Sequence, residues 1–238
     1  MNKILLLGAQ HGNELLGIQL YEHITRKRPQ MLPFVTYKTG NIQARKQNVR
    51  YIESDLNRSY TGKSRTYEER RAKRILKYII QNKFDLVLDL HTTTCEQPPC
   101  FIAPGITPGI EHFIRASSIT RIVQMNHSII ASSLIGNCVQ AVSIEVNRQE
   151  AKTSVLLDSL CDDIERYIHG DTGTAVKTIY HINDLLKKTE VTDEEAATLR
   201  NFHRSPQGYY PILVGENSYK KQTEYLGFKA YKSQTIHL

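Results

Sequence analysis

Residues 67–91 read YEERRAKRILKYIIQNKFDLVLDLH, and the change of rhythm inside them decides the fold. From Tyr67 to Asn82, the side chains of Ala72, Ile75, Leu76, Ile79 and Ile80 follow the i, i+3, i+4, i+7, i+8 spacing of an amphipathic helix, with charge on the other face. Phe84-Asp85-Leu86-Val87-Leu88-Asp89-Leu90 then reads as a strand buried on both faces, as central strands of α/β sheets are.

The same alternation recurs on either side. Lys3 to Leu7 reads as a strand, Gly8 to Asn13 as a turn, and Leu16, Leu20 and Ile24 as the apolar stripe of a helix. A strand is expected at Phe34 to Tyr37, followed by a long loop from Gly40 to Arg65, and loops of that length usually serve function. Further strands are expected at Ile122 to Met125 and Ala141 to Val146, and a helix at Lys152 to His169 with Leu156, Leu160, Ile164 and Ile168 at helical spacing. Strands alternating with helices imply an α/β sheet. The turn-forming run His169 to Thr174 suggests a division into residues 1–172 and a smaller unit, 173–238, in which Val176, Ile179 and Ile182 begin a more β-like pattern.

Composition narrows the class. The 238 residues are 40% hydrophobic and 23% charged with only 8 Pro and 13 Gly, which excludes disordered, collagen-like and low-complexity chains. A formal charge of +7 favours anionic partners, from small acids to nucleic acid. The apolar run Ile4 to Leu7 is shorter than the ~7 residues of a secretory h-region, and no run approaches the ~18 apolar residues of a membrane span. Cys95, Cys100, Cys138 and Cys161 form no CxxC pair, so a reducing cytoplasm is expected.

Four constellations carry chemistry. His11-Gly12-Asn13-Glu14 falls where a strand gives way to a helix, the edge of an α/β sheet at which ligands bind. A tight turn there aims an imidazole and a carboxylate at one point, a spacing that suits zinc, although a polar helix cap explains the pair equally well. Asp89-Leu90-His91-Thr92-Thr93-Thr94 brings a second histidine to the same edge. Two imidazoles and a carboxylate leave an open position on a tetrahedral zinc, as catalytic sites require, and Asp89 is placed to support His91 from behind. Arg50 to Arg58 in the long loop offers two guanidiniums and Asn57, either a solvated basic loop or a clamp for a substrate carboxylate and carbonyl. Glu145, in the apolar strand Ser143-Ile144-Glu145-Val146, is either a strand-end surface acid or a base in low dielectric.

In this order, His-Gly-Asn-Glu, Arg-Tyr-Ile-x-x-Asp-Leu-Asn-Arg, Asp-Leu-His-x-Thr-Thr and Ile-Glu-Val resemble the aspartoacylase and succinylglutamate desuccinylase family of zinc amidohydrolases. Glu69-Arg70-Arg71-Ala72, Tyr210-Pro211 and Glu216-Asn217-Ser218-Tyr219 extend the resemblance. It implies a carboxypeptidase-like mixed central sheet flanked by helices, a small β-rich C-terminal domain, and one zinc per chain held by His11, Glu14 and His91. Glu145 would be general base and acid, and Arg50 would polarise the scissile carbonyl. Asn57 and Arg58 would grip the α-carboxylate of an N-acyl amino acid, Tyr219 would reach in from the second domain, and Asn41 and Thr93 complete the candidate substrate-binding set.

The chain also departs from that pattern. Aspartoacylases carry a tyrosine and an arginine about ten to fourteen residues before the catalytic glutamate, where this chain has Ala131-Ser132-Ser133-Leu134-Ile135. Arg121 and Arg148 are the candidates to take that arginine's place. The family's Glu-Val-Gly is here Glu145-Val146-Asn147-Arg148, and the C-terminal part is shorter. Competing functions are a carboxypeptidase- or esterase-like zinc hydrolase, and a nucleic-acid- or anion-binding protein built on Arg70-Arg71-Ala72-Lys73-Arg74. The last is the weaker, because those cations sit on the solvent face of a helix and no nucleic-acid motif accompanies them. Family members often form homo-oligomers, but this sequence carries no interface signature.

Overall fold

The computed structural model describes residues 2–173 and 176–236. Met1, Thr174, Ala175, His237 and Leu238 lie outside it, so the turn run is described only to Gly173. The chain opens with β1 (Ile4–Gly8), α1 (Leu16–Lys27) and β2 (Val35–Thr39). The long loop is not featureless: it holds α2 (Ile42–Gln47) and a single 3-10 turn at Leu56–Arg58. Then come α3 (Tyr67–Asn82), β3 (Leu86–Thr93), β4 (Cys100–Ala103), α4 (Pro108–Ala116), β5 (Arg121–Met125), α5 (His127–Ile130), β6 (Ala141–Asn147) and α6 (Ser154–His169). The last part carries β7 (Lys177–Lys187), α7 (Asp193–Thr198), β8 (Tyr210–Ile212), α8 (Asn217–Gln222) and β9 (Tyr225–Ile236).

The nine strands form one mixed sheet in the order β2-β1-β3-β6-β4-β5-β7-β9-β8. β1 pairs in parallel with β2 and β3, β3 with β6, and β5 with β4 and β7. β4 runs antiparallel to β6, and β9 lies antiparallel between β7 and β8. The strands after residue 176 thus continue the sheet from β5 outward.

Successive side chains of a strand point to opposite faces, and here that alternation divides the core in two. Ile4, Leu6, Leu86, Leu88, Leu90, Val142 and Ile144 pack on one side with Leu16, Leu20 and Ile24 of α1, Phe113 of α4 and Leu160 and Ile164 of α6. Leu5, Leu7, Val87, Ile102, Val123 and Met125 pack on the other with Ala72, Ile75 and Ile79 of α3. α3 is opened by the Thr66 hydroxyl, which accepts from Glu69 N, and closed by Lys83 in the left-handed conformation at φ 52°. Ile80 is 72% exposed, a correction to the expected apolar face. Ile75 and Ile79 already fill the space beneath the helix, and the fifth apolar position falls beyond the edge of the contact. β4 and α4 were not anticipated, since Cys100–Ala103 is too short to show a period. No helix among the described residues is long and apolar enough to cross a membrane.

Candidate active site

The alternation that divides the core also builds the site. Asp89, His91 and Thr93 of β3 and Ser143 and Glu145 of β6 point to the α3 face, and the parallel register sets His91 beside Glu145. The β1–α1 turn adds His11 and Glu14 from the neighbouring strand. One pocket is lined by His11, Glu14, Arg50, Asn57, Arg58, His91, Thr93, Glu145 and Tyr219, so sequence-distant motifs converge.

Glu14 is the hub. One carboxylate oxygen lies 2.7 Å from His11 Nδ1 and the other 3.1 Å from His91 Nδ1, while Thr92 N donates to the latter oxygen at 3.1 Å. All three side chains are buried, and one ligand atom from each lies within 4.8 Å of the others. Two imidazoles and a carboxylate that close fit a metal ion by donor type as well as by spacing. The far ring atoms have carboxylates too: His11 Nε2 lies 3.0 Å from Asp55 Oδ1, and His91 Nε2 lies 3.0 Å from Asp89 Oδ2. The Asp55 contact is a hydrogen bond that fixes the orientation and tautomer of the His11 ring, whereas Asp89 meets His91 Nε2 at ion-pair distance without hydrogen-bond geometry.

Supports behind these groups account for their precision. Asp89 is fully buried, accepting from Gln10 Nε2 at 2.6 Å and Ser143 Oγ at 3.0 Å, while Tyr60 OH donates to Gln10 Oε1 at 2.7 Å. Gly12 lets the His11–Glu14 turn lie against α2, because a Cβ there would stand 2.2 Å from the Ala44 carbonyl carbon. Glu68, buried at the start of α3, accepts from Asn41 Nδ2 and from the backbone N–H groups of Ile52, Glu53 and Ser54, which pins the arginine loop. Arg50 then reaches Asp55 Oδ2 at 3.3 Å and stands 3.6 Å from Glu14 Oε1.

Asn41 is not among the residues lining the pocket. Its amide caps α2 by accepting from Ala44 N and donates to Glu68. Thr93 does line it, but its hydroxyl donates to Glu216 Oε2 at 2.7 Å. Arg121 and Arg148 are both absent from the lining: the Arg121 guanidinium lies over the Phe202 ring, and Arg148 borders a separate recess with Asn13 and Lys152. Asp55, Gln10, Tyr60 and Glu68 were not singled out from sequence. The available signal was adjacency, since Gln10 precedes His11 and Asp55 lies inside the quoted arginine motif.

The electrostatics follow from burial and neighbours. Burial opposes ionisation of Glu14, but the facing imidazoles of His11 and His91 overcome it and hold the carboxyl well below its usual range. Burial likewise works against protonated His91, and Asp89 and Glu14 reverse it, raising that imidazole well above its ordinary value. His11 is raised in the same way by Glu14 and Asp55. Glu145 opens onto the pocket yet is packed round by protein, which pushes it up to about 8 against the pull of His91, with Glu14 and Glu216 adding to the rise.

A mixed sheet with a His-Glu-His cluster at the carboxyl ends of parallel strands defines an α/β fold of the carboxypeptidase-like kind with a candidate metal centre. Residues 1–137 match the model of the succinylglutamate desuccinylase/aspartoacylase catalytic domain, and the chain belongs to that family. A probable aspartoacylase of Trichodesmium erythraeum is 36% identical over 107 residues, 40% of this chain and 36% of that protein. The matched region thus spans about a third of that curated relative's length. Murine aminoacylase 3 superposes with a TM-score of 0.71 at 18% identity, covering 100% of this chain and 96% of that one. A metallo-carboxypeptidase from Burkholderia cenocepacia superposes at 0.55 with 12% identity, over 71% of this chain and 57% of that one. At those identities the likeness concerns the fold.

Proposed function

We propose that the chain is a zinc-dependent hydrolase that cleaves the amide bond of an N-acyl amino acid. The observation that carries this reading is the Glu14 carboxylate set between the Nδ1 atoms of His11 and His91, with the half-buried carboxyl of Glu145 in the adjacent register of the same pocket. His11, Glu14 and His91 would hold the ion. When bound there, zinc supplies Lewis-acid charge that makes water a nucleophile near neutral pH.

Glu145 takes the proton of the attacking water and passes it to the leaving amine nitrogen, a task that suits a carboxyl whose pKa burial has moved towards neutrality. Arg50, oriented by Asp55, donates to the carbonyl oxygen as negative charge gathers there. Asn57 and Arg58 hold the α-carboxylate, and Tyr219 closes over it from α8. Asn41 and Thr93 act as supports, because their polar atoms are engaged by Glu68 and Glu216. The division at residue 172 is then functional: residues 1–172 supply the metal ligands and the base, and 173–238 supply the covering tyrosine. The four cysteines are unpaired, in keeping with a reducing compartment such as the cytoplasm.

The test is elemental analysis of wild type and His91→Ala, paired with amine release from a panel of N-acyl amino acids. About one zinc per chain, lost in the variant together with turnover, supports the proposal. Absence of both zinc and turnover after zinc is added overturns it and makes the basic surface the lead.

A further inference from the structure

The chemistry above leaves one side of the pocket unused. Ile102 of β4, Met125 of β5, Ile129 and Ile130 of α5, Ile135 just beyond, and Phe228 of β9 line it. They share the sheet face that carries His91 and Glu145, and they lie towards the β4–β5 side of Glu145, away from the His11–Glu14 turn. The wall is adjacent to the carboxylate grip, since Leu134 N donates to Asn57 Oδ1 at 3.3 Å.

The polar groups interleaved with this wall are already committed. Ser133 Oγ donates to Ile130 O at 2.7 Å and accepts from Gly136 N at 3.3 Å. Ser143 Oγ donates to Asp89, and Ser218 Oγ donates to Glu216. Among the described residues, the cations lining the pocket are Arg50 and Arg58, one assigned to the scissile carbonyl and one to the α-carboxylate. Neither Arg121 nor Arg148 turns into it. A second carboxylate would therefore lose its water against isoleucine, methionine and phenylalanine with no donor from these wall residues in return, whereas an apolar group would gain from the same burial.

We propose that this wall receives the side chain of the amino-acid half of the substrate, and that the chain selects N-acyl amino acids with an aliphatic or aromatic side chain over those with a second carboxylate. The inference rests on the amide-hydrolase reading and names its substrate class.

The experiment compares kcat/KM of zinc-loaded wild type on N-acetyl-L-leucine and N-acetyl-L-phenylalanine with that on N-acetyl-L-aspartate and N-acetyl-L-glutamate. The apolar pair is expected to be favoured by about 100-fold or more. Ile129→Arg, placing a cation at a partly exposed point of the wall, is expected to narrow that ratio at least about tenfold. Calorimetric binding of free L-leucine and L-aspartate to wild type reads the wall without turnover, and leucine is expected to bind more tightly. Equal or faster cleavage of the acidic substrates, tighter binding of aspartate, or a folded Ile129→Arg protein with an unchanged ratio would overturn the proposal. Preferential binding of leucine without hydrolysis of any substrate would remove the hydrolase reading and leave the apolar subsite standing. Failure of both binding and hydrolysis removes both.

Discussion

Glu14, buried, and Glu145, half-buried, share one pocket, and their surroundings push them in opposite directions. Glu14 faces two imidazoles and stays ionised, whereas Glu145 is driven up to about 8 chiefly by burial. Environment thereby separates the proposed ligand from the proposed proton carrier. Glu145→Gln keeps the shape and removes the proton transfer, so kcat is expected to fall about 10²- to 10⁴-fold while zinc content stays at the wild-type level; parallel loss of zinc would assign the residue to the metal instead. The imidazoles set a second expectation. His11 and His91 are raised above their ordinary value in the metal-free protein, so both bind protons more firmly than an isolated histidine. An incoming ion must displace those protons. Apparent zinc affinity, measured by chelator competition between pH 8 and pH 6, is expected to fall as pH falls, approaching about tenfold per pH unit for each proton displaced. An affinity flat over that range would mean that the rings are already neutral.

At the scale of elements, what the sequence made legible was what repeats. α3 has the bounds its apolar spacing implies, and β1, β3 and β6 fall where continuous apolar runs were read, because a period summed over many residues survives local exceptions. His11, Glu14, His91 and Glu145 stood out because polar residues interrupt those runs at strand ends. Asp55, Gln10 and Glu68 gave no such signal, since a polar residue in or beside a loop looks the same whether it faces water or holds a neighbour. Their roles depend on pairings as distant as Gln10 with Asp89, which no local pattern encodes. Glu216 is of this kind. It caps α8 by accepting from Ser218 N, and it ties that helix to the end of β3 by accepting from Thr93 Oγ1, Thr94 N and Thr94 Oγ1. α8 in turn presents Tyr219, packed edge-on against Phe228 with ring centroids 5.8 Å apart. Glu216→Ala cuts the tie and leaves the proposed metal ligands untouched. KM is expected to rise about tenfold or more, with kcat changed less and stability lowered by about 1–3 kcal/mol, as read from steady-state kinetics and urea unfolding. A fall in kcat at constant KM would instead give Glu216 a part in the chemical step.

Across the whole molecule, the two cores on either side of the sheet enclose four thiols in addition to the site. Cys161 lies in the core beneath α1 and α6, and Cys95, Cys100 and Cys138 lie in the core on the α3 side. Burial raises every one of them above the ordinary thiol value of 9.0: Cys95 and Cys161 to about 12, Cys138 to about 11, and Cys100 well above that ordinary value. A thiol that stays protonated in the folded chain but ionises in the unfolded one contributes stability that is complete below pH 9 and is lost as pH climbs towards the folded value. Lys177 works the other way. It is buried with its ammonium donating to Ser117 O and Ile119 O, and burial lowers it to about 8, so the unfolded chain holds that proton longer and the folded state gains from about pH 8 to 10.5. Four thiols outweigh one lysine. Urea midpoints under reducing conditions are therefore expected to decline from about pH 9 to 11, with Cys161→Ala declining less steeply because one of the four groups is gone. A midpoint that rises across that interval would show that the lysine dominates and that the thiols ionise within the folded protein.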